Sequence, residues 1–180
     1  MKLEIDNTNV SKSFDQIASE LLNRKVLRVN KDEFRLTEIE FYYFHPTHHP
    51  DEYTHSHKRE AGEWRFHNQG IDITFQGNEV QDGGILIRGV AINDEYTNGP
   101  INALKRIFES FGSVSAKTIV SLHDCVPRDL EIIKTFRHLP NKVTHRDFHL
   151  NHYRYLVNLE KLRISNTLKK EIQDNCASLK

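Results

Sequence analysis

Near the start of the chain, hydrophobic residues recur every three or four positions, which is the spacing of an amphipathic helix. The run opens at Ser13, and Gln16 follows three residues later. A serine and a glutamine at this spacing form a capping box, which closes the first turn of a helix. We therefore predict a helix of about three turns from Ser13. Its buried face would consist of Phe14, Ile17, Ala18, Leu21 and Leu22.

Apolar and alternating runs separated by turn residues predict several strands after this helix. Positions 25–30 and 34–45 are two such runs, and the short polar stretch 31–33 between them has the length of a hairpin turn. Further strands are predicted at 63–66, 71–75, 85–92 and 153–157. The segment 46–62 is polar and has no period, so we expect a long loop there.

Three more helices are predicted in the second half of the chain. The first begins at Pro100, a favoured first helical residue, and stops at Gly112. The second starts at Pro127, with apolar residues three positions apart, and the third covers 165–177. Together these elements predict an α+β fold: one domain over 1–180 with a mostly antiparallel, curved sheet and peripheral helices. The segment from Ser165 onward is a candidate C-terminal helical extension.

Charge and composition narrow the range of functions. The 180 residues include 25 Lys plus Arg and 25 Asp plus Glu, so the formal net charge is zero. A nucleic-acid-binding protein that relies on bulk charge would be basic, and phosphate contacts here would need a local patch. Candidate cations for such a DNA-backbone patch are Lys58, Arg59 and Arg65, together with Lys142, Arg146 and Arg154.

Nothing in the sequence indicates a membrane segment or an oxidising compartment. No window approaches 18 consecutive apolar residues, and the first ten residues lack a basic and then apolar pattern. Cys125 and Cys176 lie far apart without metal-binding spacing, so we expect them to be reduced. We therefore expect a cytoplasmic protein without a membrane partner.

The strand at 34–45 carries the most suggestive chemistry. Side chains alternate between the faces of a strand, so Glu38, Glu40 and Tyr42 share one face. Large apolar residues on both faces indicate that the strand is covered on both sides. A buried carboxylate is a candidate general acid or base, although both could equally pair with Lys or Arg on a neighbouring strand. Arg88, within the apolar run 85–92, is a natural partner for either.

Five of the 11 histidines fall between His45 and His57, which raises the possibility of a metal site. A metal-dependent hydrolase could use the cluster His48, His49, His55 and His57. The spacing fits no established metal motif, however, and solvated loop histidines are the simpler interpretation. The sequence also lacks a phosphate-binding glycine loop and a nucleophile elbow, so we expect neither a metal nor another cofactor.

Four segments, taken together and in order, resemble one enzyme family. Positions 35–42 read R-L-T-E-I-E-F-Y and 51–56 read D-E-Y-T-H-S. Positions 84–90 read G-I-L-I-R-G-V, and 98–100 read N-G-P at the start of a helix. These segments are similar to R-I-V-E-T-E-A-Y, D-E-A-A-H-S, V-L-L-R-A-L and S-G-P of the alkyladenine (3-methyladenine) DNA glycosylases. The chain resembles a divergent member of that family over about half of its length.

The resemblance implies a single glycosylase-like domain that excises alkylated or deaminated purines from DNA, by water attack at the sugar C1′. It implies that Glu40 is the general base and that Arg88 orients the water and Glu40. Tyr42 would stack on the flipped base, and His55 would hydrogen-bond the base or the sugar. Phe75 would be the remaining aromatic residue close to that base.

One segment departs from the family pattern. The family's tyrosine-rich hairpin, Y-V-Y-I-I-Y-G, corresponds here to I-D-I-T-F-Q-G at 71–77. The family's aromatic wedge is therefore replaced by Asp72 and Thr74. This difference leaves a second hypothesis open: a catalytically degenerate protein that binds a nucleobase or a single nucleic-acid strand without cleaving it. The excised base, the preferred strand form and the oligomeric state are not fixed by the sequence.

Overall fold

The computed structural model describes residues 1–139 and 147–179 of the chain. Within these ranges there are three α-helices, α1 (Val10–Arg24), α2 (Pro100–Phe108) and α3 (Asn166–Asp174). The strands are β1 (Lys25–Val29), β2 (Asp32–His45), β3 (His49–Pro50), β4 (Trp64–His67), β5 (Gly70–Thr74), β6 (Asp82–Ile92), β7 (Glu95–Asn98), β8 (Val120–Asp124), β9 (Ile132–Thr135), β10 (Arg154–Leu156) and β11 (Ala177–Leu179). Short 3₁₀ turns occupy Phe148–Leu150 and Leu159–Lys161.

The strands form one sheet, in the order β11-β9-β10-β2-β6-β5-β4. β1 pairs with β2 and β8, β3 pairs with β2, and β7 pairs with β6. Every pairing recorded between these strands is antiparallel. The predicted α+β class with a mostly antiparallel sheet is therefore confirmed. None of the helices in the described part of the chain is long and apolar enough to cross a bilayer.

Helix α1 begins three residues earlier than predicted. Asn9 is its N-cap, and the Asn9 side chain accepts a hydrogen bond from the Lys12 amide at 3.1 Å. Ser13 lies inside the first turn instead, where its hydroxyl accepts from the Asp6 amide at 3.0 Å. The capping role predicted for Ser13 is therefore wrong, although the predicted buried face, from Phe14 to Leu22, is confirmed.

The core lies between α1 and one face of the sheet. Phe14 of α1 stacks on Phe41 of β2, with ring centroids 4.4 Å apart. Phe75 lies nearly parallel to both rings, with its centroid 6.3 Å from each. Tyr155 of β10 meets Phe41 edge-on. Burial of such large rings is the main stabilising contribution from this layer.

The central strand β2 pairs with β6 over almost its whole length, and the pairing is irregular around Glu38. Glu38 is opposite Gly89, whereas the next residue, Ile39, is opposite Ile87. A Cβ on Gly89 would lie 2.6 Å from the Thr37 hydroxyl oxygen, so only glycine allows this close approach. The irregularity leaves Arg88 between two paired positions, which lets its side chain reach over β2.

The predicted helix at 127–136 is wrong. Residues 126–131 are irregular and are followed by strand β9, which pairs with β10 and β11. Leu130, Ile133 and Phe136 have the three-residue spacing of a helix, but Ile132, Ile133 and Thr135 are β-branched and favour a strand beside two partners.

At the C-terminus, helix α3 ends at Asp174 with Ser165 as its N-cap. The strand predicted at 153–157 is confirmed as β10, and the helix predicted from Pro100 is confirmed as α2.

Candidate functional site

Three buried charged groups and the partly exposed Arg88 meet on the face of β2 opposite to α1. Glu38 and Glu40 are each 1% exposed. Arg88 donates from Nε to Glu38 Oε1 at 2.8 Å and from Nη1 to Glu40 Oε2 at 3.2 Å. Arg154 of β10 donates from Nε to the same Glu38 oxygen at 2.8 Å. Two carboxylates and two guanidinium groups balance, which is what makes ionised groups tolerable at this depth.

Both glutamates thus pair with arginines on neighbouring strands, which was one of the two interpretations left open by the sequence. Burial works against the charge on Arg88, but the nearby Glu40 and Glu38 outweigh it and raise the pKa of the Arg88 guanidinium. Arg88 is therefore a fixed positive charge at this position. It stabilises the negative charge on Glu40, which a general base must carry.

Tyr42 links this charge cluster to an adjacent pocket. Its hydroxyl donates to Glu40 Oε2 at 2.9 Å. Burial, followed by the charge on Glu40, raises the pKa of the Tyr42 phenol far above its usual range, so the phenol keeps its proton and acts as a donor. Arg88 and Tyr42 thus donate to the same oxygen of Glu40, Oε2.

Arg137 packs against the ring of Tyr42 from the side of β9. The guanidinium carbon is 4.7 Å from the centroid of Tyr42, 5.3 Å from that of Tyr153 and 5.8 Å from that of Tyr53. Arg137 Nη1 also lies 2.8 Å from a carboxylate oxygen of Asp51, and both side chains are fully buried. Arg137 thus fixes the plane of the Tyr42 ring through cation–π contacts.

The pocket next to Tyr42 has a volume of about 380 Å³, including open solvent at its mouth. A water-sized sphere can move within only about 40 Å³ of that space. In the sheet, Tyr42 is opposite Gly84, and Glu40 is opposite Leu86. A Cβ on Gly84 would lie 3.1 Å from the Ile73 carbonyl oxygen, so this glycine lets β5 approach β6 closely beside the pocket. The walls are Tyr42, Thr54, His55, Arg65, His67, Gln69, Asp72, Gly83, Gly84 and Leu86.

The loop that carries His55 is anchored on both sides of that residue. Asp51 Oδ1 accepts from the Tyr53 amide at 3.1 Å. Asp82 Oδ2 accepts from the Ser56 hydroxyl at 2.7 Å and from the His57 amide at 2.8 Å. These bonds hold the loop over the sheet, and His55 forms part of the pocket wall.

The histidine cluster does not assemble as a metal site. His49 bonds the Tyr43 carbonyl oxygen through Nδ1 at 2.7 Å and the Tyr153 hydroxyl through Nε2 at 2.9 Å. His57 Nε2 lies 2.7 Å from the Gly83 carbonyl oxygen, so it is the donor there. Among residues 1–139 and 147–179, no three His, Cys, Asp or Glu side chains are grouped to hold a metal ion. The four-histidine hypothesis is therefore wrong for this part of the chain.

The expected site residues are brought together only in part. Tyr42 and His55 line one pocket, and Glu40 and Arg88 lie directly behind Tyr42. Phe75 does not belong to this group: it is 1% exposed and packs in the core against Phe14 and Phe41. Its expected contact with a bound base is therefore wrong. Residues alternate across a strand, and Phe75 lies on the side of α1.

The expected DNA-backbone cations differ in position. Lys58 and Arg59 are exposed, with Arg59 Nη1 3.3 Å from Glu63 Oε2. Arg154 is 2% exposed beside Glu38, so it is not a surface contact for phosphates. Arg65 is partly exposed in the pocket wall, with Nη1 3.2 Å from Asp72 Oδ2. Lys142 and Arg146 lie outside the described residues.

Sequence reasoning missed several members of the site. His67, Gln69 and Asp72 come from the β4–β5 hairpin, and Arg137 follows β9. The hairpin could have been found, because Asp72 interrupts an apolar strand just as Glu38 and Glu40 do. Arg137 carried no such signal, since its segment was read as a helix.

No protein-family model matches the chain, and no curated protein matches it. The resemblance to alkyladenine DNA glycosylases therefore stays a hypothesis, carried by the four segments quoted above.

Proposed function

We propose that this protein is a glycosylase-like hydrolase that cleaves the N-glycosidic bond of a damaged purine nucleotide in DNA, with Glu40 as the general base. The observation that carries the proposal is the placement of Glu40. Its carboxylate is held by the Tyr42 hydroxyl and Arg88, immediately behind the wall of a pocket that Tyr42 and His55 share. This arrangement supports a base-binding pocket next to a fixed, charged carboxylate.

The proposed reaction adds water across the C1′–N bond of the nucleotide. Glu40 takes a proton from the water as its oxygen attacks C1′, and the purine leaves with the electron pair of the broken bond. A positioned general base contributes about 10² to 10⁴ in rate. Arg88 fixes the position of Glu40 by its hydrogen bond, and Tyr42 provides the aromatic face against the leaving purine.

The pocket is narrow, so a base in a stacked duplex has to be extruded before it can enter. Extrusion costs a few kcal/mol, and stacking on an aromatic ring returns about 1–3 kcal/mol. Tyr42 provides an aromatic ring in the pocket wall, whereas Phe75 lies in the core and cannot stack on the other face of the base. The proposed substrate is therefore a base that is already mispaired, damaged or single-stranded. Lys58 and Arg59, which are exposed, are the candidate phosphate contacts.

A second candidate function is binding of a nucleobase or single strand without cleavage. It is favoured by the burial of Glu40, which is 1% exposed and is not among the residues that line the pocket. A base in the pocket would then contact Tyr42 and His55, while Glu40 serves to hold Tyr42. The two candidates differ in whether a water molecule reaches Glu40.

A single-turnover assay with oligonucleotides that contain hypoxanthine or ethenoadenine, in single- and double-stranded form, tests the proposal. We expect the wild type to release the base and Glu40→Gln to be slower by about 10² to 10⁴. Glu40→Asp keeps the charge beside Arg88 and should retain part of the rate. Glu33→Gln, an exposed substitution beside Arg28, is the matched control.

Release of base by Glu40→Gln at the wild-type rate would exclude Glu40 as the general base. Tight binding of the oligonucleotide with no release by the wild type would favour the second candidate. Thermal melting of each variant shows whether a lost rate reflects a lost fold.

A further inference from the structure

The β4–β5 hairpin supplies one whole wall of the pocket. Arg65 and His67 are on β4, Asp72 is on β5, and Gln69 is in the turn between them. Asp72 is opposite Leu86 in the sheet, and Leu86 is opposite Glu40. The hairpin wall therefore lines the same pocket as Tyr42. Asp72 lies two strands away from Glu40, the proposed general base.

Asp72 is only half satisfied. Its Oδ2 accepts from Arg65 Nη1 at 3.2 Å. Its Oδ1 is buried and makes no hydrogen bond within the described residues, although His67 Nε2 lies 3.0 Å away. The residue itself is 7% exposed, so bulk water does not solvate the free oxygen. A buried carboxylate oxygen without a well-aligned hydrogen bond is energetically unfavourable.

His67 likewise has a buried polar atom without a hydrogen bond, in this case a donor. Its Nδ1 accepts from the Gln69 amide at 3.2 Å, which places the proton of the neutral ring on Nε2. This Nε2–H is buried and, in the described part of the chain, also lacks a hydrogen bond. The wall therefore holds an N–H donor and a carboxylate oxygen 3.0 Å apart, without the alignment of a hydrogen bond, and both atoms are buried beneath the pocket surface.

Unsatisfied atoms concentrate at this pocket. Nine buried side-chain polar atoms in the described ranges lack a hydrogen bond, and three of them belong to pocket-lining residues: Thr54 Oγ1, His67 Nε2 and Asp72 Oδ1. Native proteins leave few such groups unpaired, and a bound ligand is one way of satisfying them. The three atoms are a hydroxyl oxygen, an imidazole nitrogen and a carboxylate oxygen, and the last two lie 3.0 Å apart.

We infer that His67 and Asp72 determine specificity by reading a donor–acceptor edge of a planar heterocycle in the pocket. Asp72 Oδ1 would accept from a ring N–H or exocyclic amino group, and His67 Nε2–H would donate to the neighbouring ring nitrogen or carbonyl oxygen. This inference rests on the proposed function, because it takes the pocket as the base site. Both the amidine edge of an adenine and the lactam edge of a hypoxanthine have this chemistry.

Titration calorimetry with 9-methyl bases tests the inference, since the 9-methyl group blocks the position of the glycosidic bond. The ligands are 9-methyladenine and 9-methylhypoxanthine, each compared with a partner whose edge donor is methylated: N6,N6,9-trimethyladenine and 1,9-dimethylhypoxanthine. A hydrogen bond to a charged group is worth at least about tenfold in affinity. We expect at least one unblocked ligand to bind about tenfold or more tightly than its blocked partner, and the ligand that does so tells the two edges apart.

Asp72→Asn keeps the shape of the side chain and should reduce this ratio to below about threefold, because the charged acceptor is lost. Asp15→Asn, on α1 at the far side of the sheet, removes the same charge and should leave the ratio unchanged. A ratio that persists in Asp72→Asn would show that the extra methyl group merely collides with the wall, and would overturn the inference.

The same data separate this inference from the proposed function. Equal binding of blocked and unblocked bases by a wild type that excises hypoxanthine or ethenoadenine overturns the role of His67 and Asp72 alone. Selective binding without excision supports their role within the second candidate function. Absence of both binding and excision overturns both.

Discussion

Arg137 and Asp51 form a fully buried ion pair beside the pocket, and removal of either partner should be costly. At 2.8 Å and an effective dielectric constant of about 20, the gross attraction of the two charges is about 6 kcal/mol. Much of that is offset by desolvation of both ions. The loss of one partner leaves the other charge buried and unpaired, which costs about 3–5 kcal/mol.

Arg137→Met keeps an unbranched side chain of similar length and removes the charge. It also removes the hydrogen bonds from Nη1 to the Phe41 carbonyl oxygen at 3.0 Å and from Nη2 to the Phe148 carbonyl oxygen at 3.1 Å. We expect the free energy of unfolding to fall by about 3–5 kcal/mol. For a chain of this size, that loss lowers the melting temperature by about 6–20 °C.

A double-mutant cycle measured by urea unfolding at pH 7 isolates the pair. Asp51→Asn alone should also destabilise, because Arg137 then lacks its counter-charge. The double variant Arg137→Met/Asp51→Asn should lose clearly less than the sum of the two single losses, since no unpaired charge remains. If each single variant costs under 1 kcal/mol, or if the losses simply add, the reasoning from a buried ion pair is refuted.

Two further predictions concern residues around the same pocket. Burial lowers the pKa of His49 below its usual value of 6.5. As the pH falls, the unfolded chain therefore binds a proton at this histidine more readily than the folded chain does. The free energy of unfolding should reach its full value above about pH 6.5 and decrease below it. Urea unfolding between pH 7.5 and 5 should show this slope in the wild type and a shallower one in His49→Gln, and equal slopes would contradict it. Gly83 has φ of +146°, and a Cβ there would lie 2.3 Å from the Tyr42 carbonyl oxygen, so Gly83→Ala should cost about 3 kcal/mol or more. Gly112→Ala, where the nearest atom is 3.4 Å away, is the control for the same unfolding measurement, and an equal loss in both variants would refute the steric argument.

The period-two pattern of β2 was enough to place Glu38, Glu40 and Tyr42 on one buried face, and an arginine in an apolar run identified Arg88 as their partner. Arg154 reaches the same carboxylate from 116 residues away, and only the pairing of β10 with β2 brings it there. That strand register forms only in the assembled sheet, and the sequence around Arg154 does not indicate it.

The errors have equally specific causes. The three-residue spacing of Leu130, Ile133 and Phe136 matched a helix. The segment instead forms strand β9, because β10 has an edge with which it can pair. Phe75 was assigned from its nearness in sequence to the missing tyrosines, whereas it directly follows β5 and packs in the core against Phe14 and Phe41. With Phe75 in the core, the wall that replaces the aromatic hairpin is polar.

The two parts of the site occupy very different places in the sheet. Glu40 is on β2, which has neighbours on both sides, whereas Arg65 and His67 are on β4, which in the described part of the chain pairs with β5 alone. An outer strand unfolds locally more readily than a central strand, which is paired on both sides, and its residues are more easily substituted. Of the two residues proposed to select the ligand, His67 lies on this outer strand, whereas Asp72 lies on β5, which pairs with both β4 and β6. A replacement at His67 can therefore change which molecules are accepted while Asp72 and the charged centre at Glu40 stay in place.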